Sequence, residues 1–366
     1  MPLRILQIVT YMGRGGLETM LMNYYRHIDK DKVQFDFLVH RDFKADYDDE
    51  ILSFGGRIYH VSRLVPWSKG YREELKRFFR EHPEYKIVHV HQDCLSSVAL
   101  QCAKECGIPV RIAHSHSANA VKNLKYPIKL HYMKKIPKYA TQLFACGERA
   151  GNWMFGGADF EVVHNAVDTE NYICSQEKYQ KSREQFGVKN EILIGHVGSF
   201  SPAKNHSFII DIFNEVIDKQ TNAKLILVGD GDRRPAIEEK VKSLGLEDKI
   251  IFTGIRTDVN EIMQAMDVFL FPSLYEGLPV TLVEAQAVGL PILMSDQISE
   301  ESVITQDLIT IKSLSDSADA WADKLIEIAG QKKESHIWEV RESGYDIQNE
   351  AKKLQEFYLE KTEDVK

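Results

Sequence analysis

Short apolar runs recur along this 366-residue chain, each stopping at glycine or at a polar residue and several leading into a segment of helical spacing. The runs fall over 5–10, 33–40, 58–61, 87–91, 110–116 and 141–147, and again over 192–197, 224–228, 250–253, 267–271 and 291–295. Runs that are apolar on both faces are the pattern of buried parallel strands. Helical segments at 71–79, 96–106 and 148–155 supply the crossovers that parallel strands need. The expected class is α/β, with Rossmann-like parallel sheets whose C-terminal strand ends carry the ligands. A chain of this length exceeds the usual single core and predicts about two domains. The polar stretch 169–190 lacks a strand pattern and reads as the linker. Ile347, Ala351, Leu354 and Tyr358 give a final helix one apolar face.

The run at 267–271 opens the most informative stretch. Pro272 and Ser273 end it, and Tyr275-Glu276-Gly277-Leu278-Pro279 forms a loop. Residues 280–288 then have helical spacing, with Pro279 at the entry, where a missing N–H costs least. The free N–H groups of such a helix start form a natural phosphate site. Glu276 lies in the loop and Glu284 on the helix, so two carboxylates flank that site. A ligand with hydroxyls on both sides of a phosphate suits this pattern, and a nucleotide sugar is one.

With Pro-Ser before it, Glu-Gly-x-Pro inside it and Gly289-Leu290-Pro291-Ile292 after it, the Glu276-x7-Glu284 segment resembles the donor-site signature of family 4 retaining glycosyltransferases. The chain is similar to the branch that builds bacterial exopolysaccharide and capsule, over nearly its whole length. The resemblance implies a GT-B architecture. Residues 1–168 with 346–366 would form an acceptor-side domain, and 169–345 a domain that binds the nucleotide sugar. It also implies a retaining hexosyl- or N-acetylhexosaminyltransferase, a UDP-sugar donor, a lipid-linked glycan acceptor, no tightly bound cofactor and no required metal.

Carried onto this sequence, the resemblance gives Glu284 the ribose hydroxyls and Glu276 the hydroxyls of the transferred sugar. Gly277, Leu278, Pro279 and Val280 would present the helix start to the diphosphate, with Lys204 beside it. The family usually places Arg where this chain has Ser199, which removes one charge-assisted contact. Compensation by Arg14, Arg233 or Arg256, an unusual donor and a weakened enzyme are three explanations. In the family the loop at 254–256, containing Arg256, meets the nucleobase. Asn165 stands in His164-Asn165-Ala166, where the family more often has Pro before Asn-Gly. Gly15 and Gly16, in the loop after the first run, would lie near the donor phosphate and the acceptor; a plain tight turn is the alternative.

His114 and His116 alternate along one run and so face one side. They match a strand-end histidine that the family places beside the transferred sugar. Either could donate to a sugar hydroxyl or to phosphate; a structural role is the other reading. His89 and His91 repeat the pattern on the preceding run. Lys122, Lys125, Lys129, Lys134 and Lys135 interleave with apolar and aromatic residues over 121–138. Such a helix could lie on an anionic membrane or receive a diphosphate-lipid acceptor, or simply present a solvated face over core residues.

Net charge −8 excludes a general nucleic-acid binder. The five cysteines are scattered and lack paired metal spacing. No uncharged apolar run approaches the ~18 residues of a membrane span, and a cytoplasmic location, at the inner face of the plasma membrane, is expected. Asp230-Gly231-Asp232 fits turn chemistry better than a metal site. Two further functions stay open: a catalytically weakened, transferase-like partner subunit of a polysaccharide assembly complex, and another GT-B reaction such as sugar-nucleotide epimerisation.

Overall fold

The computed structural model describes residues 1–117, 124–220, 222–331 and 333–363. It divides into two compact units, Met1–Ala166 with Ile347–Lys366, and Val167–Asp346.

The first unit is built on β1 (Leu3–Ile8), β2 (Val33–Val39), β3 (Ile58–His60), β4 (Ile87–Val90), β5 (Val110–Ser115), β6 (Gln142–Ala145) and β7 (Glu161–Val162). All pair in parallel, in the order β3-β2-β1-β4-β5-β6-β7. The order reverses between β1 and β4, and a ligand crevice forms outside the strand ends at such a switch point. Every residue of β2 is buried, as expected for a strand covered on both faces. The core joins Phe35, Phe37, Tyr24 and Tyr25 with Ile347, Ala351, Leu354 and Tyr358 of the last helix, Ile347–Glu363. That helix packs on helix Gly16–His27, and the Tyr358 ring meets Phe35 edge-on at 6.0 Å. The apolar face read from the sequence is therefore core of the first unit, although it follows the whole second unit in the chain.

The second unit holds β8 (Ile192–Val197), β9 (Ala223–Val228), β10 (Ile250–Gly254), β11 (Val268–Phe271), β12 (Ile292–Ser295) and β13 (Ile309–Lys312). The order is β10-β9-β8-β11-β12-β13, again parallel, with its switch point between β8 and β11. Trp321, Phe213, Ile210 and Leu270 centre its core.

Two expectations change. Residues 169–190 are not an open linker. They contain helix Gln176–Gln185, started by Ser175 Oγ accepting from the Lys178 N–H at 3.2 Å. Buried Arg183 ties this helix down by donating to Asp267 Oδ2 at 2.8 Å and to the Ala265 carbonyl at 3.1 Å. The basic stretch is not one helix either. Its described part forms Tyr126–Met133 and Ile136–Tyr139, each with proline in its first turn. Pro137 has no N–H to continue the first helix, so the chain restarts there.

Candidate active site

The loop after β11 and the loop after β8 meet in the second unit. The Leu274 N–H donates to the Ala203 carbonyl at 2.7 Å, and Asn205 Nδ2 donates to the Pro272 carbonyl at 3.1 Å. Asn205 takes φ +56°, in the left-handed region, which an asparagine tolerates and most residues do not. This turn aims Lys204 back toward the sheet. Its Nζ lies 2.8 Å from Glu276 Oε1 and 4.8 Å from the Phe271 ring centre. Both partners of that ion pair are 13% exposed, so solvent screens it weakly. Gly198 makes room for the lysine stem: a Cβ there would stand 2.9 Å from Lys204 Cε.

Helix Val280–Val288 starts at Pro279 with no side-chain cap, and ends at Gly289 with φ +78°. The Leu282 N–H donates to the Pro279 carbonyl at 3.0 Å, and the N–H groups of Val280 and Thr281 before it have no intrahelical partner. The Ser273 hydroxyl before it and the Thr281 hydroxyl in its first turn are buried without a hydrogen-bond partner among the described residues. Leu278 and Pro279 are buried, and Gly277 and Val280 are half-buried. Glu284 follows one turn into the helix, and its Oε1 accepts from Tyr172 Oη at 2.6 Å. Burial pushes the Glu284 carboxyl up, and the tyrosine bond opposes that. A carboxylate held this way can accept two more hydroxyl donors.

Ser199 is exposed, and its hydroxyl reaches Ser201 Oγ at 3.3 Å. Of the arginines considered as replacements for a cation at 199, Arg256 is committed to Asp258 by two bonds of 2.8 and 2.6 Å. Arg14 lies 5.3 Å from the Tyr47 ring in the first unit, and Arg233 is exposed in the second. Asp230 takes up turn chemistry: Oδ1 accepts from the Gly231 N–H at 2.7 Å and Oδ2 from Arg234 Nη1 at 3.1 Å.

In the first unit, His114 and His116 sit at the end of β5 and stack at 4.1 Å, against His89 and His91 at the end of β4. His91 Nδ1 is 2.8 Å from His116 Nε2, and His89 Nε2 is 3.2 Å from His114 Nδ1. Burial holds all four imidazoles down, His116 to about 3. The rings are therefore neutral in the physiological range, and His114 or His116 donates as N–H rather than as imidazolium. The pair at β4 belongs to the same cluster as the pair at β5, a link that strand spacing alone does not reveal. Asn165, near the end of the first stretch of this unit, is buried with Oδ1 unpartnered among the described residues.

Gly15 and Gly16 do not need left-handed backbone, since neither has positive φ. Gly15 instead leaves space for the chain's own carboxylate: a Cβ there would stand 2.3 Å from Glu18 Oε2. Glu18 accepts from the N–H groups of Gly15 and of its own residue, so the start of helix Gly16–His27 already holds an anion. Of the basic stretch, Lys125 and Lys134 are exposed, Lys129 and Lys135 half-buried, and Leu124 fully exposed. Lys135 Nζ lies 5.1 Å from the Tyr132 ring. Lys122 falls outside the described residues. No helix among the described residues is long and apolar enough to cross a membrane.

Several of these partners escaped the sequence. Tyr172 lay in the stretch read as a linker, and Glu18 in a helix read only for its apolar face. His196 and His206 flank the Lys204 turn: the His206 ring stacks on Phe200 at 3.9 Å and meets His196 edge-on at 4.9 Å. Burial and the Lys204 charge hold His206 down at about 4.

Two family models match the chain: "Glycosyltransferase Family 4" over residues 14–171 and "Glycosyl transferases group 1" over residues 191–331. EpsF of Bacillus subtilis (strain 168), named as a glycosyltransferase, is 35% identical over 373 residues, covering 98% of this chain and 97% of that protein. The capsular polysaccharide biosynthesis glycosyltransferase CapH of Staphylococcus aureus is 22% identical across 98% of this chain and 99% of CapH. Among solved structures, Anabaena HepE in complex with UDP superposes with a TM-score of 0.78 at 18% identity, over 98% of this chain and 100% of HepE. That likeness identifies the fold as GT-B. The chain belongs to the family 4 glycosyltransferases.

Proposed function

We propose that this glycosyltransferase moves a sugar from a UDP-sugar to a growing, lipid-linked bacterial surface glycan, with retention of anomeric configuration. The observation that carries the donor assignment is the Lys204–Glu276 ion pair at the foot of an uncapped helix that bears Glu284 on its next turn. The diphosphate would take the free N–H groups of that helix and the Lys204 ammonium. Those donors face the charge that grows on the leaving group, the place where fixed dipoles lower a barrier most. Releasing Lys204 to the phosphates frees the Glu276 carboxylate to accept from hydroxyls of the transferred sugar. Glu284 would accept from the ribose hydroxyls, with the Tyr172 bond opposing the rise that burial imposes on its carboxyl. His114 and His116 would each donate to a sugar hydroxyl or to phosphate. Retention, by same-face attack assisted by the departing phosphate, is what the family resemblance implies.

HepE has been solved with UDP and with UDP-glucose, which supports a uridine nucleotide here. An Escherichia coli relative of 22% identity is named a UDP-Gal:α-D-GlcNAc-diphosphoundecaprenol α-1,3-galactosyltransferase, which supports a diphospholipid acceptor. The exposed lysines at 125 and 134 beside Leu124 would then face the anionic lipid surface.

Calorimetry with UDP, GDP and ADP and with their common sugar nucleotides tests the reading, with Glu284→Ala in parallel. Selective binding of a uridine nucleotide that is lost in the variant is expected. Absence of binding by every nucleotide would refute it and favour the partner-subunit alternative, which the missing cation at Ser199 supports.

A further inference from the structure

The donor groups of the second unit bring little net positive charge of their own. Lys204 is the cation at the foot of the uncapped helix, and Glu276 Oε1 already balances it at 2.8 Å. Glu284 adds a second carboxyl on the same helix. A helix start contributes only about half an elementary charge. A diphosphate carries several negative charges at neutral pH, so it needs a cation beyond Lys204.

The turns after β8, β9 and β10 lie at the C-terminal ends of neighbouring strands, where parallel sheets bind their ligands. The basic residues of these turns are Lys204, Arg233, Arg234 and Arg256. Arg256 is held by its two bonds to Asp258. Arg234 spans Asp230 Oδ2 at 3.1 Å and Glu238 Oε1 at 2.7 Å. Arg233 is exposed, and its side chain makes no ion pair and no hydrogen bond among the described residues. Recruiting Arg234 or Arg256 to a phosphate would break an existing charge pair. Recruiting Arg233 breaks none.

The backbone ties Arg233 to the turn that bears Lys204. The Phe200 N–H donates to the Asp230 carbonyl at 2.9 Å, and the Phe200 carbonyl accepts from the Arg233 N–H at 3.1 Å. Gly229 (φ +133°) and Gly231 (φ +155°) allow the two turns to close on each other. A Cβ on Gly229 would stand 2.2 Å from the Gly198 carbonyl oxygen, and one on Gly231 2.9 Å from the Phe200 carbonyl oxygen. Phe200 is buried with its ring on His206, so this seam is fixed. Arg233 is therefore bonded through its backbone to the residue that follows exposed, uncharged Ser199.

We propose that Arg233 is a further donor-binding residue, whose guanidinium holds the diphosphate from the β9 turn while Lys204 holds it from the β8 turn. A guanidinium matches two phosphate oxygens at once and keeps its charge throughout the working pH range. Arg233 supplies the cation that Ser199 does not. This assignment rests on the proposed nucleotide-sugar donor.

Arg233→Gln removes the charge and leaves the backbone seam in place. Calorimetry compares parent and variant with UDP and uridine, and likewise with GDP and guanosine and with ADP and adenosine. For the base that binds, the variant is expected to lose about tenfold or more in diphosphate affinity and nothing in nucleoside affinity. Its diphosphate Kd is also expected to depend less steeply on salt. Diphosphate affinity equal to the parent's overturns the role of Arg233 and leaves the donor reading intact. An equal loss for the nucleoside overturns the phosphate contact. A parent that binds no nucleoside diphosphate overturns both readings. Ser199→Arg is then added to each background. It is expected to restore most of the affinity lost in Arg233→Gln and to tighten the parent by a smaller factor. The same factor in both backgrounds would show that the two positions do not share one ligand charge, and would overturn the exchange.

Discussion

The first unit should lose stability steeply as pH falls from about 7.5 to about 5.5, through its histidines rather than its carboxylates. His89, His91, His114 and His116 are all held below the ordinary imidazole value, chiefly by burial. For a base whose folded pKa is depressed, both states are neutral above the unfolded value of about 6.5, and nothing is lost there. Below it the unfolded chain binds a proton that the folded chain refuses. Each such histidine then lowers stability by about 1.4 kcal/mol per pH unit. Four of them give about 5 kcal/mol over this interval, comparable with the 5–15 kcal/mol that holds a typical domain together. The sign opposes that of Glu18, whose carboxyl burial raises, so its stability is lost as pH rises just above the ordinary carboxylate range. Urea midpoints at a series of pH values, read by backbone hydrogen exchange of β1, β2 and β4, measure the effect on this unit alone. His116→Gln should reduce the slope by about one quarter. A first-unit stability that moves by less than about 1.5 kcal/mol across the interval would refute the argument, because fewer than about one proton would then be linked to unfolding.

Other outcomes follow from the second unit and the surface. Tyr172→Phe removes a 2.6 Å bond to Glu284 and should weaken UDP binding about tenfold by calorimetry, given ~1.5–3 kcal/mol for a hydrogen bond to a charged group. Glu276→Ala leaves Lys204 without its partner and should abolish most sugar transfer in a radiolabelled-donor assay while thermal unfolding remains cooperative; transfer at the parental rate would remove Glu276 from the site. Ser199→Arg places a cation on an exposed position in the loop that carries Lys204, and should tighten UDP binding; an unchanged Kd would place residue 199 outside the diphosphate pocket. Replacing Lys125 and Lys134 by Glu should cut co-sedimentation with anionic vesicles by roughly tenfold or more, at about 1 kcal/mol for each lysine near the surface, whereas equal sedimentation would reduce the stretch to a solvated helix face.

Much of the fold was legible because buried parallel strands are apolar end to end. The runs at 33–40 and 192–197 lie on β2 and β8, within a residue at their ends. The strand-loop-helix at 267–291 was legible for the same reason, with proline marking one end of the helix and glycine the other. Helix Gln176–Gln185 was not, because its sequence is polar almost throughout and it is held by one buried guanidinium rather than by an apolar face. Two helices were read as one over 121–138, since lysine spacing outweighed Pro137. At the site, spacing located Glu276 and Glu284 but not Tyr172, which lies 112 residues away in sequence and meets Glu284 only through folding. Gln7 carried an available signal: a polar residue in the buried run of β1 needs a partner inside. That partner, Tyr358, sits 351 residues away on a helix read only for its apolar side.

The first unit begins with β1 and is completed by helix Ile347–Glu363, so 180 residues of the second unit (167 to 346) are synthesised before its core can close. At ~5–20 residues per second, that is roughly 10–40 s on the ribosome. During this time Phe35 and its neighbours lack the helix that covers them, and the phenol of Tyr358 has not yet been made. The contact of His89 with Tyr358 therefore forms only once this last helix has been made. A half-made chain can assemble its first sheet, yet it leaves open the apolar groove that the last helix fills.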